Sequence, residues 1–286
     1  MLNPDNQLID SYSPFLQEKL YFFKCVMTIH IEDLATIRKI ASVMQHKQRL
    51  LFITGAGISA DSGLPTYRGI GGLYEDNFTT EGMNIEKALS GTILRQQPEI
   101  TWKYIAQIEQ SCRGAAYNGA HRVIAEMESH FEEIWILTQN VDGFHKDAGS
   151  TNIIDIHGDL HYLSCMRCAY SIQINDYNEL EIPPRCPDCG GMIRPDVVLF
   201  GEMLPETKIF ELYAELKRGF DMVFSVGTSS VFFYIIQPII QAKQQHIPTV
   251  EINPTESSVS RIVDYRVKAG AAESLTMLWH YFLLQE

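Results

Sequence analysis

Basic residues are scarce in this chain: 23 Lys and Arg stand against 35 Asp and Glu over 286 residues, a formal net charge of −12. That balance argues against nucleic acid as a direct partner and favours basic peptides at long range. Cysteine is sparse too. Of six, four form two C-x-x-C pairs while Cys25 and Cys112 stand alone, which speaks against a disulfide framework and for a reducing, cytoplasmic setting. No secretory leader is expected, since 1–13 is polar and the apolar run 20–27 lacks a basic flank and cleavage site. One uncharged run, residues 222–242, is long enough to raise the question of a membrane span. Ser225, Gly227, Thr228, Ser229, Ser230, Gln237 and Pro238 divide it into a strand, a turn and a helix, so no membrane association is expected. Internal repeats, low-complexity tracts and heptads are also absent.

What remains is a soluble globular composition, 45% hydrophobic and 20% charged. It is large enough for one major core with a small satellite. The central stretch is the apolar run Leu50-Leu51-Phe52-Ile53, a buried strand that breaks into Gly55 and Gly57. Glycines after a strand let the backbone turn tightly and approach a ligand, and backbone N–H groups with Arg68 suit a phosphate. Taken alone, such glycines also fit an ordinary turn. The G-x-G-x-x-G spacing of dehydrogenases is lacking, because the next glycine is Gly63 and no acidic residue stands out about 20 positions on.

Further apolar strands are expected at 134–138, 153–156, 197–200, 222–226, 249–252 and 264–267. Helices are expected at 33–44, 85–94, 99–108, 121–127, 205–217, 231–242 and 271–284. Strands alternating with helices predict an α/β fold, a mostly parallel sheet covered on both faces. Residues 1–30 read as a loosely attached extension, with Met27 an alternative start. Gln139-Asn140-Val141-Asp142 follows one strand directly, where open α/β sheets bind ligands. His157 follows another; such a His is either a satisfied structural residue or a base suited to neutral pH. His121, His145 and His161 read as surface or structural. Cys165-x-x-Cys168 and Cys186-x-x-Cys189 have the spacing of a closed tetrahedral zinc site, preferred over a redox pair or an iron–sulfur cluster.

These motifs, in this order, resemble the sirtuins (the Sir2 family), NAD-dependent protein lysine deacylases, from about residue 33 to the C-terminus. The residues that carry the resemblance are Gly55-Ala56-Gly57-Ile58-Ser59, Ser62-Gly63-Leu64-Pro65, Arg68, Thr138-Gln139-Asn140-Val141-Asp142, His157-Gly158, the cysteine pairs, Arg194-Pro195, Val197 to Glu202, Gly227-Thr228-Ser229 and Asn253. The resemblance implies a Rossmann-like NAD-binding domain from 31–74, 116–157 and 194–286. It also implies a small domain from 75–115 and 158–193, part helical and part zinc ribbon. NAD would meet Gly55, Ala56, Gly57, Ser59, Arg68, Gln139, Asn140, Val141, Asp142, Gly227, Thr228, Ser229, Asn253 and Ala271. Acyl-lysine peptide would meet Val198, Phe200, Gly201 and Glu202 by strand addition. The implied reaction releases nicotinamide and yields free lysine and O-acyl-ADP-ribose, with His157 as base, Asn140 and Asp142 as further catalytic groups, and one structural zinc ion.

Two departures stand out. Thr66-Tyr67 ahead of Arg68 resembles the branch that removes succinyl and malonyl groups, which holds the acyl carboxylate with a Tyr and an Arg. The matching positions here are Tyr104 and Gln107, so the cation is lost, and a neutral acyl group, acetyl first, is expected. Arg95 and Lys103 are the candidate replacements, and Leu73, Leu89 and Ile108 the candidate apolar lining. Tyr234 stands where many members have Pro. Competing expectations are a desuccinylase or demalonylase, a protein ADP-ribosyltransferase or NAD hydrolase, and a non-catalytic NAD-binding scaffold.

Overall fold

Side chains along a strand alternate between faces, and the strand Arg49–Thr54, buried at all six positions, needs apolar cover on both. Leu50 and Phe52 enter one core cluster, Leu51 and Ile53 the other. The computed structural model describes residues 29–65 and 78–285. Thr66, Tyr67, Arg68, Leu73, Met27 and the extension before residue 29 therefore lie outside the described residues.

In chain order the elements begin with Ile31–Val43 (α1), Arg49–Thr54 (β1), a 3-10 turn over Ala56–Ser62, Ile85–Ala88 (α2), Gly91–Gln96 (α3) and Pro98–Cys112 (α4). Next come Gly119–Met127 (α5), Glu133–Thr138 (β2), Phe144–Asp147 (α6), Ile153–Asp155 (β3), Gly158–Cys165 (β4), Ser171–Gln173 (β5) and Ile193–Val197 (β6). The chain continues through Glu206–Arg218 (α7), Met222–Val226 (β7), Phe233–Gln244 (α8), Thr249–Ile252 (β8), Tyr265–Val267 (β9) and Ala271–Leu283 (α9).

The main sheet has the order β3-β2-β1-β7-β8-β9 and is parallel throughout. Helices α1, α5 and α9 cover one face through Ile37, Ile124 and Leu278, while α7 and α8 cover the other through Leu212 and Ile239. The single expected helix over 85–94 is broken. Ser90 caps a new helix by accepting from the Ile93 N–H at 3.2 Å, so α2 stops and α3 begins.

A second sheet, antiparallel in the order β5-β4-β6, shares one hydrophobic cluster with α2, α3 and α4. The Trp102 indole N–H donates to the Ile193 carbonyl at 3.1 Å and ties that sheet to α4. The strand expected at 197–200 is displaced. It lies at Ile193–Val197 and pairs with β4 outside the parallel sheet. Pro195 sits within it, which is tolerated because β6 is an edge strand and needs no ladder donor there. Among the described residues no helix is long and apolar enough to cross a membrane. The uncharged run 222–242 is split between β7 and α8.

Candidate functional site

Register sets the site. Thr54 pairs with Thr138 and with Val226, Thr138 with Asp155, and Val226 with Ile252. The residues that follow, Gly55, Gln139, Ile156, Gly227 and Asn253, therefore line one carboxyl edge of the sheet. The chain runs outward from β1 in both directions, through β2 on one side and β7 on the other, and this switch point is where open parallel sheets leave a crevice.

The glycines there also serve the packing of the loops. A Cβ on Gly57 would lie 2.6 Å from the Gly227 Cα, and one on Gly227 would lie 2.3 Å from the Ile58 nitrogen. The Gly57 N–H donates to the Gly227 carbonyl at 2.8 Å. Two loops thus pack backbone to backbone. Glycine is required for that contact, with Gly227 also at a φ of 59°.

Polar side chains knit the loops together. Ser59 Oγ donates to Asp142 Oδ2 at 2.7 Å, and Asn140 Nδ2 donates to the Gly55 carbonyl and to Ser59 Oγ, both at 3.2 Å. Gln139 Nε2 donates to Thr228 Oγ1 at 2.8 Å, and Asn253 Nδ2 to the Thr228 carbonyl at 3.0 Å. Burial pushes the Asp142 carboxyl up, opposed by the Ser59 bond. Asn140, Val141 and Asp142 line a small cavity together with Ala56, Ser59 and Leu64 and with Ile108 and Cys112 of α4. Ser229 is exposed, and Ala271 opens α9, whose Ala272 N–H is held by Asp61 at 3.0 Å.

His157 Nδ1 lies 3.0 Å from the Gln139 carbonyl, which can only accept, so Nδ1 carries the hydrogen. Nε2 is therefore the acceptor, and the Tyr234 hydroxyl donates to it at 2.6 Å. Burial lowers the His157 pKa, so the ring is neutral at neutral pH. The sequence singled out both residues, yet their contact is invisible in it because 77 positions separate them.

The expected peptide-binding segment is already engaged in part. The Val198 N–H donates to the His157 carbonyl at 2.8 Å. Phe200 uses its N–H on the Leu89 carbonyl and its own carbonyl on the Gly91 N–H. Glu202 makes a two-pronged pair with Arg194 at 2.7 and 2.8 Å and accepts from the Leu199 N–H at 3.0 Å, while Gly201 turns the chain at a φ of 77°.

Tyr104 donates to Glu81 Oε2 at 2.6 Å, and Lys103 pairs with Glu81 Oε1 at 2.7 Å. These bonds, Lys103 foremost, lower the Glu81 pKa to about 2. Gln107 is exposed. Arg95 lines a separate surface groove with Arg194 and Glu202. Leu89 is buried in the small unit's core, whereas Ile108 does face the cavity.

His121 and His145 are not surface residues. His121 Nδ1 accepts from the Asn118 N–H at 3.3 Å, and His145 Nε2 lies 3.0 Å from Thr54 Oγ1. Both are fully enclosed, and burial lowers the His121 pKa to about 4 and that of His145 well below its ordinary value. The unfolded chain takes up a proton at His121 near pH 6.5, the folded chain only near 4. Stability is therefore expected to fall as pH drops below about 6.5, with His121 alone costing about 3 kcal/mol by pH 4. Urea midpoints measured from pH 7 to 4 check this; a flat profile would refute it.

The Sγ atoms of Cys165, Cys168, Cys186 and Cys189 all lie within 4.8 Å of one another. The Cys165–Cys189 and Cys168–Cys186 pairs are each 3.5 Å apart. A tetrahedral zinc with sulfur ligands at about 2.3 Å needs sulfurs about 3.8 Å apart. The four thiols fit such an ion, and no protein-free position would remain on it.

The chain matches known proteins over most of its length. A family model described as "Sir2 family" matches residues 55–233. An NAD-dependent protein deacylase 2 of Pseudomonas aeruginosa is 47% identical over 240 residues, 83% of this chain and 93% of that protein. An NAD-dependent protein deacylase of Aquifex aeolicus is 34% identical over 81% of this chain and 94% of that protein. Among solved structures, a Sir2 homolog–NAD complex superposes with a TM-score of 0.75 at 32% identity, over 90% of this chain and 96% of that one. A Sir2 structure with p53 peptide and NAD+ superposes with a TM-score of 0.70 at 25% identity, over 87% and 97%.

Proposed function

Because the chain belongs to the Sir2 family, we propose that it is an NAD-dependent protein lysine deacylase that frees lysine and leaves the acyl group on ADP-ribose. The observation that carries this reading is that Asn140 and Asp142, just past β2, bond to the loop at Gly55 and Ser59, while His157, just past β3, bonds to the Gln139 carbonyl and to Tyr234 of α8. When bound, NAD supplies the ribose carbon that takes the acyl oxygen as nicotinamide departs. This chain's own residues do the rest. Loops 55–59, 139–142 and 227–229 with Asn253 and Ala271 hold the cofactor; Asp142, anchored by Ser59, and Val141 receive the nicotinamide amide. Asn140 orients a ribose hydroxyl or water, and His157 accepts a proton at Nε2. The cavity walls, Ile108 and Leu64 among them, exclude water from the first step.

In this reading the cysteine cluster holds one structural zinc ion in a small domain that joins α2 to α4 with the antiparallel sheet, as their common core supports. Acyl-lysine peptide lies along 198–202, using main-chain groups that the Leu89, Gly91 and His157 contacts leave over. The setting is reducing and cytoplasmic. Assays of acyl-peptide conversion beside NAD consumption without peptide test the function. Conversion strictly dependent on NAD supports a deacylase; NAD loss without peptide would make it a hydrolase or ADP-ribosyltransferase, and neither would make it a scaffold.

The chain is nearest the desuccinylase branch yet is expected to prefer a neutral acyl group. Tyr104 is bonded to the Glu81 carboxylate, Lys103 is paired with it, and Arg95 lies in another groove. An entering succinyl carboxylate would lose hydration without a cation in return, forgoing a charge-assisted bond of roughly 1.5 to 3 kcal/mol. We expect kcat/KM for an acetylated peptide to exceed that for its succinylated counterpart by about ten-fold or more. A reversed order would overturn this preference.

A further inference from the structure

An imidazole in the Nδ1–H form has one lone pair, in the ring plane at Nε2. In His157 that lone pair is in use, accepting from the Tyr234 hydroxyl at 2.6 Å. A reacting hydroxyl can reach the base only by displacing this group or by acting through it. Displacement has much against it. Tyr234 lies in the first turn of α8, and its ring stacks on Phe232 with centroids 5.5 Å apart and planes at 11°. Both rings stand nearly perpendicular to His157, at 81° and 89°, and both pack against the core on that face of the sheet. The hydroxyl is thus held at Nε2 from the helix, while the Gln139 carbonyl holds Nδ1 from the end of β2.

Resting on the reading of His157 as the base, we propose that Tyr234 is a further catalytic residue, a relay whose hydroxyl passes a proton from a ribose hydroxyl of bound cofactor to His157 Nε2. The O–H bond of the ribose hydroxyl breaks and its electron pair stays on that oxygen. An O–H bond forms at Tyr234 as the original Tyr234 O–H breaks, and an N–H bond forms at Nε2. The net change is one proton moved to His157, with Tyr234 returned to its starting form. Burial pushes the Tyr234 hydroxyl up to about 12, so it carries the proton it must hand on, and it keeps His157 neutral and ready to accept one. Of the three groups named around the ring, the Gln139 carbonyl, Phe232 and Tyr234, only Tyr234 titrates.

Tyr234→Phe removes the hydroxyl and keeps the ring and its stack, so the variant should fold. Two readouts are needed. In the protein without cofactor, NMR titration of His157 should move to higher pH in the variant, because a hydrogen bond that favoured the neutral ring is gone. With cofactor and acyl peptide, net deacylation should fall about ten-fold or more in kcat. Exchange of labelled nicotinamide into NAD, which reports the step before His157 acts, should persist. Deacylation at the parent rate or faster would overturn the relay and make the hydroxyl a displaced placeholder. Equal loss of exchange and deacylation, or an unmoved His157 titration, would overturn it in favour of a packing role. His157→Ala run in parallel separates the premise: if that variant still turns over, the base has been misassigned, whereas a dead His157→Ala beside an unaffected Tyr234→Phe defeats the relay alone.

Discussion

Replacing His157 by Ala is expected to cut deacylation by about 10² to 10⁴ while the protein stays folded. The rate falls because, among the described residues, the other histidines near His157 in sequence are engaged elsewhere: His121 and His145 are enclosed, and His161 is paired with Asp159 at 2.9 Å. The fold survives because the substitution removes two hydrogen bonds, those to the Gln139 carbonyl and the half-buried Tyr234 hydroxyl. One such lost bond costs about 1 to 3 kcal/mol, against a usual total of about 5 to 15. The pH profile of the parent protein should agree. His157 works as a base only when neutral, and burial depresses its pKa. Activity should therefore hold at neutral pH and fall only as pH drops below the ordinary histidine value of about 6.5. Near-normal turnover by His157→Ala with the same products would show that another group is the base.

Cys186→Ser should release the metal and unfold the small antiparallel sheet. Cys186 is buried in the core that holds Trp102, Leu163 and Ile193, and four sulfurs this close repel one another as thiolates unless a cation sits among them. Ligation in such sites is folding energy, about 10 to 16 kcal/mol in small zinc modules. The damage should reach the proposed site, since the Val198 N–H holds the His157 carbonyl and the Leu160 N–H holds the Val141 carbonyl at 3.0 Å. We expect one zinc per chain in the parent protein and none in the variant. Hydrogen exchange should accelerate across 158–197 and stay slow in β1, β2 and β7. A parent protein purified without chelator and lacking zinc would overturn this.

Much of the main sheet was legible. Leu50 to Ile53 and Ile134 to Leu137 are uninterrupted apolar runs that end in polar residues, and Met222 to Val226 and Thr249 to Ile252 are short strand-like runs interrupted by Ser225 and Glu251, a pattern that fits parallel strands covered on both faces. Cysteine spacing was equally direct. The strand at Ile193–Val197 was hidden, because Pro195 suppresses a strand reading unless the strand is known to lie at an edge. Likewise Ser90 lies inside the helix expected over 85–94, and only the structure shows its hydroxyl capping a second helix there. Glycine roles were half visible. Gly55 and Gly57 read as residues that let the backbone approach a ligand, but only the structure shows that Gly57 packs against Gly227. Side-chain pairings across long sequence separations, such as Ser59 with Asp142, Glu81 with Tyr104 and His157 with Tyr234, carry no local signature. The first could have been guessed from two polar residues at neighbouring strand ends; the others could not.

In the proposed function the carboxyl edge of this sheet transfers an acyl group from lysine to ADP-ribose. This transfer is tested most directly by mass spectrometry of the products formed from an acetylated peptide and NAD. Equal amounts of free-lysine peptide, nicotinamide and acetyl-ADP-ribose are the predicted result. Release of nicotinamide with the peptide still acetylated, or recovery of the acyl group as free acetate with NAD intact, would contradict it.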